Sequence, residues 1–386
     1  MANFPIYRFI HNKVRKINDV RIKKSIFIFL VFKILYTFYG VFIFSKISNV
    51  GDAEAYLRAP INLTSTVLRD NTMLMGTLTA LLKKVLFVDF FVHLSYSLFS
   101  FLCLKWVIEE LKLTSPQEYF LILMLLMPSF GTWTSIIVKE SLSCSLTCIV
   151  LIWVINIINN SKLRFHFIIY ILALYFSIVL RPVVGLALAC LITNLYLYRI
   201  NFINKYLRFF VLFSGIAIVT IATIFLSISY IKDELLPMAE YYFNPKFTNT
   251  VGGREMGFWK TTADFYLKAP QGIFIANLGP NLVESIQKPY LIPYFFEGLI
   301  FIFSTLYLIF SNFYLQLRRV VISPYFLLTI FFGILFVLLL NYPFGLFNAG
   351  SATRYRSSYY HIIIILLLFF YSKEKRNFSI IRANKI

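Results

Sequence analysis

The chain predicts an all-α polytopic membrane protein, with about ten transmembrane helices, both termini cytoplasmic and one large outer loop. Three observations carry that expectation. Hydrophobic residues make up 59% of the 386 positions and charged residues only 14%, with mean hydropathy +0.76, against roughly half apolar and a quarter charged in soluble domains. Runs such as "SIFIFLVFKILYTFYGVFIFSKI" approach the roughly 20 residues needed to cross a hydrocarbon core. The net charge of +20 lies in short basic clusters between the apolar runs, which is how a membrane protein sets its orientation; nucleic acid is not an expected partner.

In chain order the expected spans lie near Ser25–Ile47, Phe87–Val107, Tyr119–Ser135, Ser141–Ile158, Phe167–Leu180, Val183–Tyr198, Phe209–Tyr230, Leu291–Ser311, Tyr325–Leu340 and Ser357–Tyr371. The first run is too long for the apolar core of a signal peptide, and no small-residue cleavage site follows it. The whole chain, 1–386, therefore reads as one integral membrane domain.

Placing the N-terminus inside puts at least two cations in every short inner segment. These are the basic stretch 1–24, Lys105 with Lys112, Lys162 with Arg164, Arg199 with Lys205 and Arg208, Arg318 with Arg319, and the tail 372–386. The even span count and the charge bias agree. The outer segments are then "SNVGDAEAYLRAPINLTSTVLRDNTM", "MPSFGTWTSIIVKES", "LRPVVG", the loop 231–290 and "NYPFGLFNAGSATRYRSSYYH". Nearly all the charges without a topological role fall on this side, and no ionisable cluster sits in mid-span apart from Lys33 and Glu297.

Four outer motifs offer chemistry. In "GDAEAYLR", Asp52 and Glu54 share a face if extended, and Asp52 and Tyr56 share one if helical. A carboxylate at the membrane rim can act as general base on a sugar hydroxyl; Asp52 equally suits a helix N-cap. Lys139 and Glu140 open the fourth span: Glu140 complements the helix dipole, whereas Lys139 opposes it and calls for an anionic partner, protein or phosphate. Arg181 stands between two apolar runs, where a charge is costly and functional by default, or snorkels to the headgroups. In "NAGSATRYRSS", Arg354 and Arg356 follow a small-residue turn and suit a phosphate or diphosphate, or a lipid headgroup without catalysis. The large loop adds Arg254 after Gly252–Gly253, and aromatics including Trp259 that stack on sugars or form an interfacial belt. Tyr56 is the other candidate for stacking.

Cys103, Cys144, Cys148 and Cys190 lie inside apolar runs without metal-type spacing. Cys144 and Cys148 share a helical face and read as small buried thiols. His11, His93, His166 and His361 are scattered, which gives a histidine metal site no support.

The order "GDAxxY", "PSxxxWxSxxxKES", "RP" and "NxGSAxRYR" on one side resembles bacterial membrane glycosyltransferases of the GT-C type, and most of all the O-antigen polymerase group. That resemblance implies glycan transfer from a polyprenyl-diphosphate-linked oligosaccharide at the periplasmic face of the bacterial inner membrane, with membrane lipid and a chain-length regulator protein as partners. It makes Asp52 the base, with Glu54 second, and Arg181, Arg354 and Arg356 the phosphate holders. No metal is demanded, because arginines alone can stabilise a diphosphate leaving group; a divalent ion near Asp52 stays open. A transferase using a polyprenyl-phosphate monosaccharide is a close alternative. A lipid-oligosaccharide flippase is a further one, although no internal repeat is visible and the charges sit at one rim.

Overall fold

A computed structural model of the chain describes residues 23–47, 51–161, 166–199, 207, 210, 214–215, 217–218, 228–238, 259–318, 322–336, 342–346 and 349–383. Among the described residues the regular structure is helical, with no strand. Five helical stretches there are long and apolar enough to cross a membrane: Lys24–Ile47, Asp89–Leu111, Lys139–Ile158, Pro182–Arg199 and Pro289–Leu317. Two shorter apolar helices, Phe167–Leu180 and Pro324–Ile334, match further expected spans. The expected Phe209–Tyr230 span and residue Arg254 lie largely or wholly outside the described residues.

Helix α1 (Lys24–Tyr39) continues through a π-type turn at Gly40–Phe44 to Ile47. Helix α2 (Gly51–Arg58) follows at its end, then α3 (Asn71–Leu86). No span is expected over α3 from the sequence. Asp70 caps it, accepting from the Thr72 and Met73 amides at 2.8 Å. One face packs Leu74, Met75 and Ala80 inward, while Leu81 and Val85 stay exposed beside Lys84, the pattern of a helix lying in a membrane interface.

Helix α4 (Asp89–Leu111) comes next. The expected third span then proves to be two pieces, α5 (Ser115–Leu125) and the short α6 (Pro128–Trp133), followed by irregular backbone up to Val138. Pro128 has no amide proton to continue α5 and instead starts a new helix at its first position. Residues Ser129–Val138 are all buried, and non-helical backbone at membrane depth is tolerated only where protein satisfies it. Helices α1 and α4 do this. Lys33 Nζ donates to the Thr134 carbonyl at 2.7 Å and to its Oγ1 at 2.9 Å. Tyr36 donates to the Leu126 carbonyl, Ser100 to that of Thr134, and the Ile137 amide donates to His93 Nδ1. The mid-span lysine is thus a backbone partner for the broken segment.

Helices α7 (Lys139–Ile158), α8 (Phe167–Leu180) and α9 (Pro182–Arg199) follow. The described part of the large loop holds α10 (Thr262–Leu267), α11 (Ala269–Leu278) and α12 (Leu282–Gln287), so it is structured rather than a plain connection. After α13 (Ile292–Leu317), α14 (Pro324–Phe336) and the short α15 (Tyr342–Gly345) comes α16 (Ala349–Ala383). At 35 residues, α16 is roughly 52 Å long at the usual rise. Every residue from Tyr359 to Phe370 is buried, because α16 packs against α5, α6, α7, α11, α13 and α14. A helix apolar all round belongs at the centre of a bundle, and α16 is that centre.

Three contacts gather one end of the bundle. Lys23 pairs with Glu118 at 2.7 Å, Arg376 donates to the Lys112 carbonyl at 2.9 Å, and Lys373 donates to the Ile158 carbonyl at 3.3 Å. The start of α1, the α4–α5 turn, the end of α7 and the end of α16 therefore share one end. The other end carries α2 and the starts of α7 and α16.

Candidate functional site

At that other end four separate segments converge. Glu140, in the first turn of α7, is fully buried and accepts from two arginines. Arg354 Nε reaches its Oε1 at 2.8 Å and Arg354 Nη2 its Oε2 at 3.3 Å. Arg181, at the end of α8, donates Nη2 to the same Oε1. Arg354 Nη2 also meets Asp52 Oδ2 at 2.5 Å. Aromatic faces complete the setting, with Arg354 5.3 Å from the Trp133 ring centroid and Arg181 5.1 Å from that of Tyr355.

The exposure gradient orders the cluster. Glu140 is closed from solvent, the Arg181 side chain is 12% exposed, Arg354 25% and Asp52 46%. Asp52 is therefore the rim group, with Oδ2 held by Arg354. Tyr56, one turn along α2 on the same face, is buried; desolvation first, and the Asp52 charge second, push its phenol up to about 12. It stands as a neutral donor beside the carboxylate.

Lys139 takes a different partner from those expected. Its Nζ donates to Asn71 Oδ1 at 2.7 Å and Thr72 Oγ1 at 3.1 Å, both at the start of α3. Among the described residues it forms no ion pair. Asp52 and Glu140 against Arg181, Arg354 and Lys139 leave the cluster one positive charge in excess.

Three further candidates stand elsewhere. Glu54 is exposed and pairs with Arg58 one turn on at 3.2 Å. Trp259 is buried in an apolar cluster with Phe265 and Tyr342, and its indole donates to the Tyr342 hydroxyl at 2.7 Å; its faces are packed by protein. Arg356 is fully buried and holds protein instead of facing solvent. Its Nη1 donates to the Asn277 and Leu278 carbonyls at 2.8 and 3.1 Å, and its Nη2 lies 3.3 Å from Glu297 Oε1. Two positions on a helix differ by about 200° of rotation, so Arg354 and Arg356 point to opposite sides of α16. That signal was present in the sequence.

Glu297, in turn, accepts from the Ser129 amide at 2.7 Å and from the Ser129 hydroxyl, capping α6. The mid-span carboxylate joins α6, α13 and α16. Although the sequence shows no metal-type spacing, folding brings His361 of α16 to Cys144 and Cys148 of α7, with ligand atoms within 4.8 Å of one another. Between α9, α13, α14 and α16 lies an apolar cavity lined by Leu191, Ile309, Ile330, Phe332, Ile363 and Leu366.

Comparison with protein-family models, with curated proteins and with solved structures returned no match to this chain.

Proposed function

We propose that the chain is a membrane glycosyltransferase that moves glycan from a polyprenyl-linked phosphate donor at the periplasmic face of the bacterial inner membrane. The observation that carries the reading is the Asp52–Arg354–Glu140–Arg181 cluster, assembled from four segments at the end of the bundle away from the basic termini. With the basic ends cytoplasmic, as the positive-inside rule requires, the cluster lies at outer headgroup level. There a lipid-linked phosphate would meet Arg354, Lys139 and the start of α16. An incoming phosphate competes with Asp52 for Arg354 Nη2, and the freed carboxylate is positioned to take a proton from an acceptor hydroxyl. The apolar cavity beside α16 suits an isoprenoid tail.

Two substrates fit that chemistry. The motif order supports a repeat-unit polymerase working on polyprenyl-diphosphate-linked oligosaccharides. The inward placement of Arg356 favours the simpler donor, a polyprenyl-phosphate monosaccharide, because it leaves fewer cations to hold two diphosphates. The test is deletion of the gene in its host and complementation with wild type, Asp52→Asn and Arg354→Ala, reading surface polysaccharide on gels. A ladder that stops at a single repeat identifies a polymerase, and loss of one sugar from every unit identifies the single-sugar enzyme. An unchanged ladder in the deletion strain overturns both.

A further inference from the structure

Away from the outer cluster, the centre of the bundle holds three soft donors with no part in glycan transfer. Cys144 and Cys148 are one helical turn apart on α7, so their sulfurs share a face. His361, on α16, faces them. All three side chains are fully buried, and one atom from each lies within 4.8 Å of the other two. A d10 cation on two thiolates and an imidazole, with metal–sulfur lengths near 2.3 Å and metal–nitrogen near 2.0 Å, places its ligand atoms roughly 3.5–4 Å apart.

Two further features point to a ligand. His361 Nε2 is 2.7 Å from Thr147 Oγ1, whereas Nδ1 makes no hydrogen bond although the residue is fully buried. A buried ring nitrogen without a hydrogen bond is expensive, and an ion is one way to occupy it. Thr147 supplies the outer contact that metal-bound histidines ordinarily have, fixing the ring while its own hydroxyl donates to the Ser143 carbonyl at 2.8 Å. The phenyl ring of Phe130, 5.5 Å from the imidazole centroid, and the surrounding helices exclude water.

We infer that Cys144, Cys148 and His361 form a soft-metal site in the bundle core that takes one d10 cation, Cu+ or Zn2+, on two thiolates and one imidazole. Loading releases the two thiol protons, one per metal–sulfur bond. The inference does not depend on the glycosyltransferase reading.

The test uses the full chain, expressed in medium supplemented with copper or with zinc, because so enclosed a site fills as the protein folds. After purification in detergent and dialysis against a chelator, wild type should retain roughly one ion per chain. Cys190→Ser, at a half-buried cysteine outside the cluster, should match it. Cys144→Ser/Cys148→Ser should lose the ion, and Thr147→Val should weaken retention about 10–100-fold. X-ray absorption of the wild type needs no variant and guards against misfolding. It should show two sulfurs at about 2.3 Å and one nitrogen at about 2.0 Å, with the copper or zinc edge naming the ion. Equal metal in wild type and the double variant, or a shell of oxygen and nitrogen alone, overturns the site.

Discussion

Arg354 Nη2 lies 2.5 Å from Asp52 Oδ2, joining residues 302 positions apart at the end of the bundle that carries α2 and the starts of α7 and α16. Asp52 is the solvent-exposed carboxylate of the cluster, whereas Glu54 pairs with Arg58 outside it. Asp52→Asn should abolish polysaccharide complementation while the protein still accumulates in the membrane. Glu54→Gln should leave activity intact and change stability by no more than about 0.5 kcal/mol, as for other exposed helical pairs. Immunoblots of membrane fractions beside the polysaccharide gels separate lost chemistry from lost protein.

Glu140 neutralises two arginines in a place closed to water. Glu140→Gln leaves both cations short of a counter-ion and should cost about 3–5 kcal/mol, the range for breaking a buried pair from one side. Adding Arg181→Met should recover part of that loss, so the two substitutions will not add. Thermal melts of the detergent-solubilised proteins, followed by tryptophan fluorescence, give the comparison.

Arg356 is sealed by two glycines. Gly279 adopts φ +83°, and a Cβ on Gly298 would overlap the Leu278 carbonyl oxygen and approach Arg356 Nη1 to 2.9 Å. Gly298→Ala should therefore force α11 from α13 and cost about 1–3 kcal/mol, as overpacking does. Gly333→Ala is the control, because its Cβ would make ordinary contact with Ile363 at 3.8 Å. The same melts should show a clear drop for the first and almost none for the second.

The Tyr56 phenol titrates near 12, above the ordinary value near 10, through burial and the neighbouring Asp52 charge. The sign follows from proton counting. Below about pH 10 both folded and unfolded chains keep the proton, so stability is unaffected. Between about 10 and 12 the unfolded chain loses it first, and stability falls as pH rises. Tyr56→Phe should lose less stability than wild type across that alkaline window. Urea or thermal midpoints of both proteins at three pH values would show an equal decline if Tyr56 plays no part.

Much of this was legible one residue at a time. Asp52, Glu140, Arg181 and Arg354 each stand at the end of an apolar run, where a charge has no reason to be unless something outside the bilayer or another segment meets it. The break at Pro128 was visible as a Pro-Ser-Phe-Gly interruption, but its consequence was not. The freed backbone is held by Lys33, Tyr36, Ser100 and His93, which come from helices that sequence spacing cannot align. The amphipathic α3 was missed because it is too short and too polar to register as a span.

Hydropathy and cation bias are local properties summed along a run, so the residues in order are enough to mark a membrane bundle and the places where its charges change. Which charges meet depends on how the helices pack. That packing turned Arg354 toward Glu140 and Arg356 toward Glu297, and it set His361 against Cys144 and Cys148. The rotation and depth of one helix against another come from side-chain packing between segments far apart in the chain, and no run of neighbouring residues records them.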